Sequence, residues 1–192
     1  ASPLSSGFKE ALSAVNGALV QIRISQITSG DQALLGAFLR NEPPQKEDII
    51  EKLPEAYIQD TVRGFKAIAR NQNIIGIVIF DLVDYSNMFE IPVLVNTGAP
   101  IIGLGQALFE AVVREAINRN YSTVKLSCFS ISKEGIVFAR RIGMTRICNS
   151  YGLEGREALE RFMRDRENAG RALKRDKKDY VIRISKYDEV ND

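Results

Sequence analysis

The sequence contains no histidine. That excludes imidazole general bases, serine–histidine nucleophile pairs and most zinc sites, so any catalysis must use carboxylate, tyrosine, hydroxyl, thiol or backbone groups. Cysteine is scarce: Cys128 and Cys148 are the only two, each inside an apolar, strand-like run. Two buried thiols in a reducing compartment are expected rather than a disulfide. Long apolar runs are missing, and a stretch such as Ile74 to Phe80 falls far short of a bilayer span. Ala1 to Gly7 shows no basic segment followed by an apolar one, so no export signal is expected and the expected compartment is the cytoplasm. Charge of one sign does not dominate either. The net charge is +2, which speaks against a protein that coats a polyanion.

What is present is ordinary globular composition: 45% apolar and 26% charged residues over 192 positions, enough for one domain with a real core. No repeat or long linker divides the chain, so residues 1–192 are read as a single domain. Leu4, Phe8, Ala11, Leu12 and Val15 space a short amphipathic helix within residues 1–17. Leu19 to Thr28 alternates as a strand, and Thr28-Ser29-Gly30-Asp31 turns into a helix carrying Leu34, Leu35, Phe38 and Leu39. Pro43 and Pro44 end that helix, and Ile49 to Arg63 reads as further helix around Pro54. Phe65 to Ala69 and Ile74 to Val83 form a hairpin, and Tyr85-Ser86-Asn87 turns into the strand Phe89 to Val95.

The second half alternates strand and helix. Gly103 to Asn120 places Leu104, Ala107, Leu108, Ala111, Val112 and Ile117 on one face. Thr123 to Ile131 is a strand, Lys133 to Ile142 a helix, Thr145 to Ser150 a strand and Tyr180 to Lys186 the last strand. Strand–helix–strand units of this kind place parallel strands at the centre of a mixed sheet. Residues 153–179 form a charged helical insertion whose stripe of Leu159, Phe162, Met163, Ala169 and Leu173 is narrow, so a solvated helix on the domain edge is expected.

One segment carries chemistry. Val95-Asn96-Thr97-Gly98-Ala99-Pro100-Ile101-Ile102-Gly103-Leu104-Gly105-Gln106 joins a strand to a helix. Glycines at 103 and 105 let backbone amides approach a ligand, and the helix N-terminus adds its dipole, an arrangement suited to a pyrophosphate. A Gly-x-Gly pair alone more often eases helix–sheet packing.

The wider pattern resembles the GNAT acyltransferase superfamily. Pro100-Ile101-Ile102-Gly103-Leu104-Gly105 matches the frame of that family's phosphate loop, Gln/Arg-x-x-Gly-x-Gly/Ala. Ser132 to Met144 is similar to its Asn-x-x-Ala-x-x-x-Tyr-x-x-x-Gly-Phe helix, and Ile22-Arg23-Ile24 with Asp31 resembles its opening strand and first helix. Asn73 to Val78 and Tyr180 to Ile184 resemble its third and last strands, so the likeness runs from about Ala18 to Lys186. It implies an α/β fold with a mixed sheet of roughly six or seven strands flanked by helices.

The resemblance further implies an acyl-CoA-dependent N-acyltransferase that uses acetyl-CoA or another acyl-CoA as substrate. The amides of Ile101, Ile102, Gly103, Leu104, Gly105 and Gln106 would cradle the pyrophosphate, those around Leu94 and Val95 would orient the thioester, and Ser132 and Phe138 would contact the cofactor. Glu90, on the strand entering the loop, is the candidate base, with an exposed strand charge as the plainer reading. Pro92 nearby is expected to mark a bulge. Two departures stand out. Pro100 replaces the loop's Gln/Arg, and Ala139 stands where the family's proton-donating tyrosine would be, so a tyrosine restored there is expected to raise turnover if the pocket has kept the family's shape. The alternative is a binding or regulatory module of the same fold without catalysis. Expected partners are an amine-bearing small molecule or protein, with a homodimer left open. Neither a membrane nor nucleic acid is expected.

Overall fold

The computed structural model describes residues 19–31, 33, 35, 36, 38, 63–69, 72–96, 103–127 and 133–185. β1 (Leu19–Gln26), β2 (Arg63–Ile68), β3 (Ile74–Val83) and β4 (Met88–Asn96) come first. α1 (Leu104–Asn118), β5 (Thr123–Leu126), α2 (Lys133–Arg141), β6 (Thr145–Ile147), β7 (Ser150–Glu154), α3 (Arg156–Asn168), β8 (Lys174–Asp176) and β9 (Asp179–Ser185) follow. The strands form one sheet in the order β6-β7-β5-β4-β3-β2-β1-β9-β8. β4 and β5 pair in parallel, and the other neighbours are antiparallel.

The mixed sheet has nine strands, two more than the upper expectation. Both additions are short hairpin arms. Thr145 to Ser150, expected as one strand, instead turns at Cys148 and Asn149, so β6 and β7 fold back on each other. Cys148 takes a left-handed φ of 52° in that turn and is exposed, which corrects the expectation of a buried thiol. Cys128 lies outside the described residues, as do the expected helices over residues 1–17 and 49–62. Residues 33, 35, 36 and 38 are helical where the first-half helix was expected. The turn after β3 is a short 3-10 helix, Asp84–Ser86, closed by left-handed Asn87.

Alternation along the strands sorts side chains onto two faces. Ile22, Ile24, Phe65, Ala67, Val78, Phe80, Phe89, Ile91, Val124, Tyr180, Ile182 and Ile184 build one core with α1. Phe80 stacks on Phe89 with ring centroids 4.7 Å apart. Ile27, Leu35, Phe38, Ile77 and Ile79 are buried outside that cluster, on the other face.

Within the segment 153–179, expected as a charged helical insertion packed by a narrow stripe, the helix spans only Arg156–Asn168; its stripe is buried while most of its other side chains are exposed, and Lys174–Asp176 is a strand. α3 buries Leu159 and Phe162, and Phe162 meets Phe109 of α1 edge-on at 5.3 Å. The cause lies in α1, which carries Phe109 and Val113 on the side away from its sheet-facing stripe, and both are fully buried. A helix apolar on two sides needs cover on two sides, and α3 supplies the second. Each such side chain contributes about 1.5–3 kcal/mol of burial.

Candidate functional site

The connection from β4 to α1 enters the helix through Gly103, at φ 85°. That conformation is open to glycine and strained for other residues. The first helical bond runs from the Ala107 N–H to the Gly103 carbonyl at 2.9 Å, so the amides of Leu104, Gly105 and Gln106 precede the ladder and present the positive end of the helix. Gly105 leaves room beside the ring of Phe138, which a Cβ would approach to 3.4 Å. Leu104 is buried. These features fit a diphosphate. Loop residues Ile101 and Ile102 lie outside the described residues, as does Ser132, while Phe138 is partly buried against the core.

β4 carries the bulge expected from Pro92. Val93 faces Ile79 and Glu90 faces Asp81, so β4 takes three steps where β3 takes two. The extra residue resets the alternation: Ile91 and Leu94 both pack on the α1 side although three residues apart. Pairing with β5 runs from Met88–Thr123 to Ile91–Leu126, and the Ser127 N–H donates to the Ile91 carbonyl at 2.9 Å. β4 then continues through Leu94 and Val95 to Asn96 with no further described partner on its β5 side, and the remainder of the strand expected to reach Ile131 lies outside the described residues.

Glu90 sits one residue before this end of pairing. Its neighbours Phe89 and Ile91 are fully buried on the α1 face, so Glu90 points to the other face. There it is partly exposed, 3.2 Å from the Lys125 ammonium and directly across from Asp81. Desolvation of the Asp81 carboxyl first, and the Glu90 carboxylate second, raise Asp81 above the usual aspartate range. Sequence reasoning named Glu90 and missed Asp81 and Lys125. The hairpin register would have given Asp81, since the two strands and their turn were legible.

Ala139 is fully buried in the core. A tyrosine there would have to displace packed core side chains. Of the other tyrosines, Tyr121 packs its ring against Phe89 at 4.7 Å and donates to the Asp84 carboxylate, and Tyr151 packs on the core. Tyr85 is 95% exposed. A groove of about 260 Å³ lined by Gln21, Arg23, Ile68, Ala69 and Gln72 contains none of the candidate residues. Among the described residues no cluster of acidic or thiol groups is arranged for a metal, and no helix is long and apolar enough to cross a membrane.

No family sequence model matches the chain, and no curated protein matches it in sequence. Solved structures do match. The GNAT-family N-acetyltransferase YhbS from Escherichia coli, in complex with CoA, has a TM-score of 0.58 at 15% identity, covering 73% of this chain and 85% of its own. The PaiA N-acetyltransferase from Thermoplasma acidophilum, in complex with coenzyme A, scores 0.56 at 14% identity over 68% of this chain and 96% of its own. A ribosomal-protein-alanine N-acetyltransferase from Brucella melitensis scores 0.55 at 16% identity over the same shares of the two chains, 68% and 96%. At these identities the likeness is one of architecture. This chain has the fold of the GNAT N-acetyltransferases.

Proposed function

We propose that the chain is an acyl-CoA-dependent N-acyltransferase passing an acetyl or other acyl group to an amine, in the cytoplasm. The observation that carries this reading is the N-terminus of α1, entered through left-handed Gly103 with no side-chain cap among the described residues, following a strand whose described pairing with β5 ends at a proline bulge. The amides of Leu104, Gly105 and Gln106 hold the pyrophosphate, with Ile101 and Ile102 ahead of them in the same loop. Phe138 packs beside the cofactor, and Ser132 contacts it. The backbone around Leu94 and Val95, past the bulge, orients and polarises the thioester carbonyl.

The amine nitrogen attacks the acyl carbon, the new C–N bond forms and the C–S bond breaks. Glu90 accepts the ammonium proton, directly or through water, and water protonates the departing thiolate because Ala139 offers no acid. The Lys125 ammonium, 3.2 Å away, fixes the position of the Glu90 carboxylate on this face of the sheet.

The test is thiol release from acetyl-CoA in the presence of an amine panel, beside calorimetry of CoA binding. Glu90→Gln is expected to slow transfer by about 10²–10⁴-fold with CoA affinity unchanged. Gly105→Val, which drives a branched side chain against Phe138 at the helix end, is expected to abolish binding while the fold is retained. Gly103→Pro is a poorer probe, because proline's φ conflicts with 85° and would break the turn itself. Unchanged CoA affinity in folded Gly105→Val would remove the loop from consideration. The buried alanine at 139 favours a second reading, a binding module of this fold. CoA binding with no transfer to any amine would establish it.

A further inference from the structure

We propose that the β8–β9 hairpin is a docking surface for an acidic, extended protein segment. From Arg171 to Arg183 the sequence has six cations and two carboxylates, a net +4 in a chain whose total is +2, so the remaining residues together carry −2. Along the sequence these charges look interspersed, but the fold separates them. Asp176 and Asp179 both turn to Arg23 of β1, at 2.6 Å and 3.4 Å, so one guanidinium engages both of the hairpin's carboxylates. The Arg175 guanidinium is also engaged, donating to the Lys177 carbonyl at 2.7 Å and lying 4.9 Å from the Tyr180 ring centroid. Arg171, Lys174, Lys177, Lys178 and Arg183 remain exposed, with no carboxylate partner among the described residues.

The hairpin is held rigidly, so these charges are preorganised. The Leu173 N–H is bound by buried Glu110 at 2.8 Å, and Arg114 donates to the Leu173 carbonyl at 2.8 Å. Tyr180 is buried with Arg114 and Arg175 against its ring. β8 ends the sheet order, so its outer backbone has no strand partner among the described residues. One lysine is enough to discourage edge-to-edge pairing, and five free cations exceed that need.

The chemistry selects among anionic partners. Single-stranded nucleic acid is gripped by cations together with exposed rings on which bases stack, and the hairpin's tyrosine is buried. A membrane surface is held by cations together with inserted apolar side chains. Among the described residues the large exposed apolar side chains, Tyr85 and Val137, lie on other elements. A carboxylate-rich extended chain needs neither: it can align its backbone with β8 and its acidic side chains with Lys174, Lys177 and Lys178.

Fluorescence anisotropy with a labelled octaglutamate peptide, a labelled oligouridylate and vesicles of phosphatidylserine in phosphatidylcholine tests this on the full chain. The peptide is expected to bind at low salt and weaken as salt rises. The triple variant Lys174→Glu, Lys177→Glu, Lys178→Glu is expected to lose about tenfold or more in affinity, while Arg140→Glu with Arg141→Glu, exposed cations on α2, changes it by less than about twofold. Thermal melts confirm folding, and Lys178→Glu alone gives a smaller loss in the same direction if the triple variant is unstable. Absence of peptide binding, equal loss in the α2 control, or tighter binding of the oligouridylate or vesicles than of the peptide would each overturn the proposal.

Discussion

Glu110 of α1 and Arg166 of α3, 56 positions apart, form a buried ion pair at 2.8 Å with side-chain exposures of 0% and 5%. Glu110 also accepts from Arg114 at 2.9 Å and from the Leu173 N–H at 2.8 Å, so one carboxylate ties together α1, α3 and the approach to β8. Burying charge is favourable only when lone pairs and protons are matched, and here the carboxylate is fully used.

Breaking this tie from the two sides should give different results. Glu110→Ala strands Arg166 and the Leu173 amide, and is expected to destabilise by about 3–5 kcal/mol in urea titrations. Arg166→Met leaves Glu110 with Arg114 and Leu173 and should cost about 1–2 kcal/mol. Equal losses would mean that the pair contributes as a simple pair and not as a three-way junction.

Two glycines separate packing from helix-end function. A Cβ at Gly152 would lie 2.3 Å from the Val124 carbonyl oxygen and 2.9 Å from the Lys125 Cα, backbone atoms held by the β5–β7 ladder. Gly152→Ala should therefore cost about 1–3 kcal/mol. Gly105→Ala meets only the edge of the Phe138 ring at 3.4 Å and removes a glycine from a helix, so it should be neutral or stabilise by up to about 1 kcal/mol. Thermal melts of the two variants decide between them.

Asp81 faces Glu90 across the hairpin, and its carboxyl is held above its ordinary value of 3.8. The folded state thus prefers the protonated form. That contribution to stability is fully present at pH below the unfolded value and is lost as pH rises through the raised folded value. Asp81→Asn should stabilise at neutral pH by a few tenths of a kcal/mol, with the advantage vanishing as pH falls into the ordinary carboxylate range. A pH series of urea midpoints checks the sign, and an advantage that grows toward low pH would contradict it.

Ala139→Tyr forces a ring into a fully buried core position. The expected result is a loss of about 1–3 kcal/mol or more and no gain in thiol release from acetyl-CoA. A stable variant with faster turnover would show that α2 can shift to admit the ring.

Much of this was legible along the chain. Strands β1, β3, β4 and β9, and helices α1 and α2, were readable because local periodicity and their turn residues agree. The bulge at Pro92 was readable because proline cannot complete a central ladder. The β6–β7 turn at Cys148 was not, since an apolar run through a non-glycine residue at φ 52° gives no local signal. The burial of Arg166 on α3 was not legible either, because an arginine reads as solvated charge until Glu110 is brought beside it.

By itself the sequence determined that this stretch has no imidazole chemistry, that an α/β fold forms, and that a glycine-opened helix follows a strand. These follow from composition and from periods of two and of about 3.6 residues, which are local properties. Tertiary structure alone decided which charges are used up and which are left free. Asp176 and Asp179 share Arg23 as a partner, Arg166 pairs with Glu110, and Glu90 acquires Lys125 and Asp81 as neighbours. Pairings across many tens of residues are set by strand order and helix docking, and the strength of each depends on burial, which no local window of sequence contains.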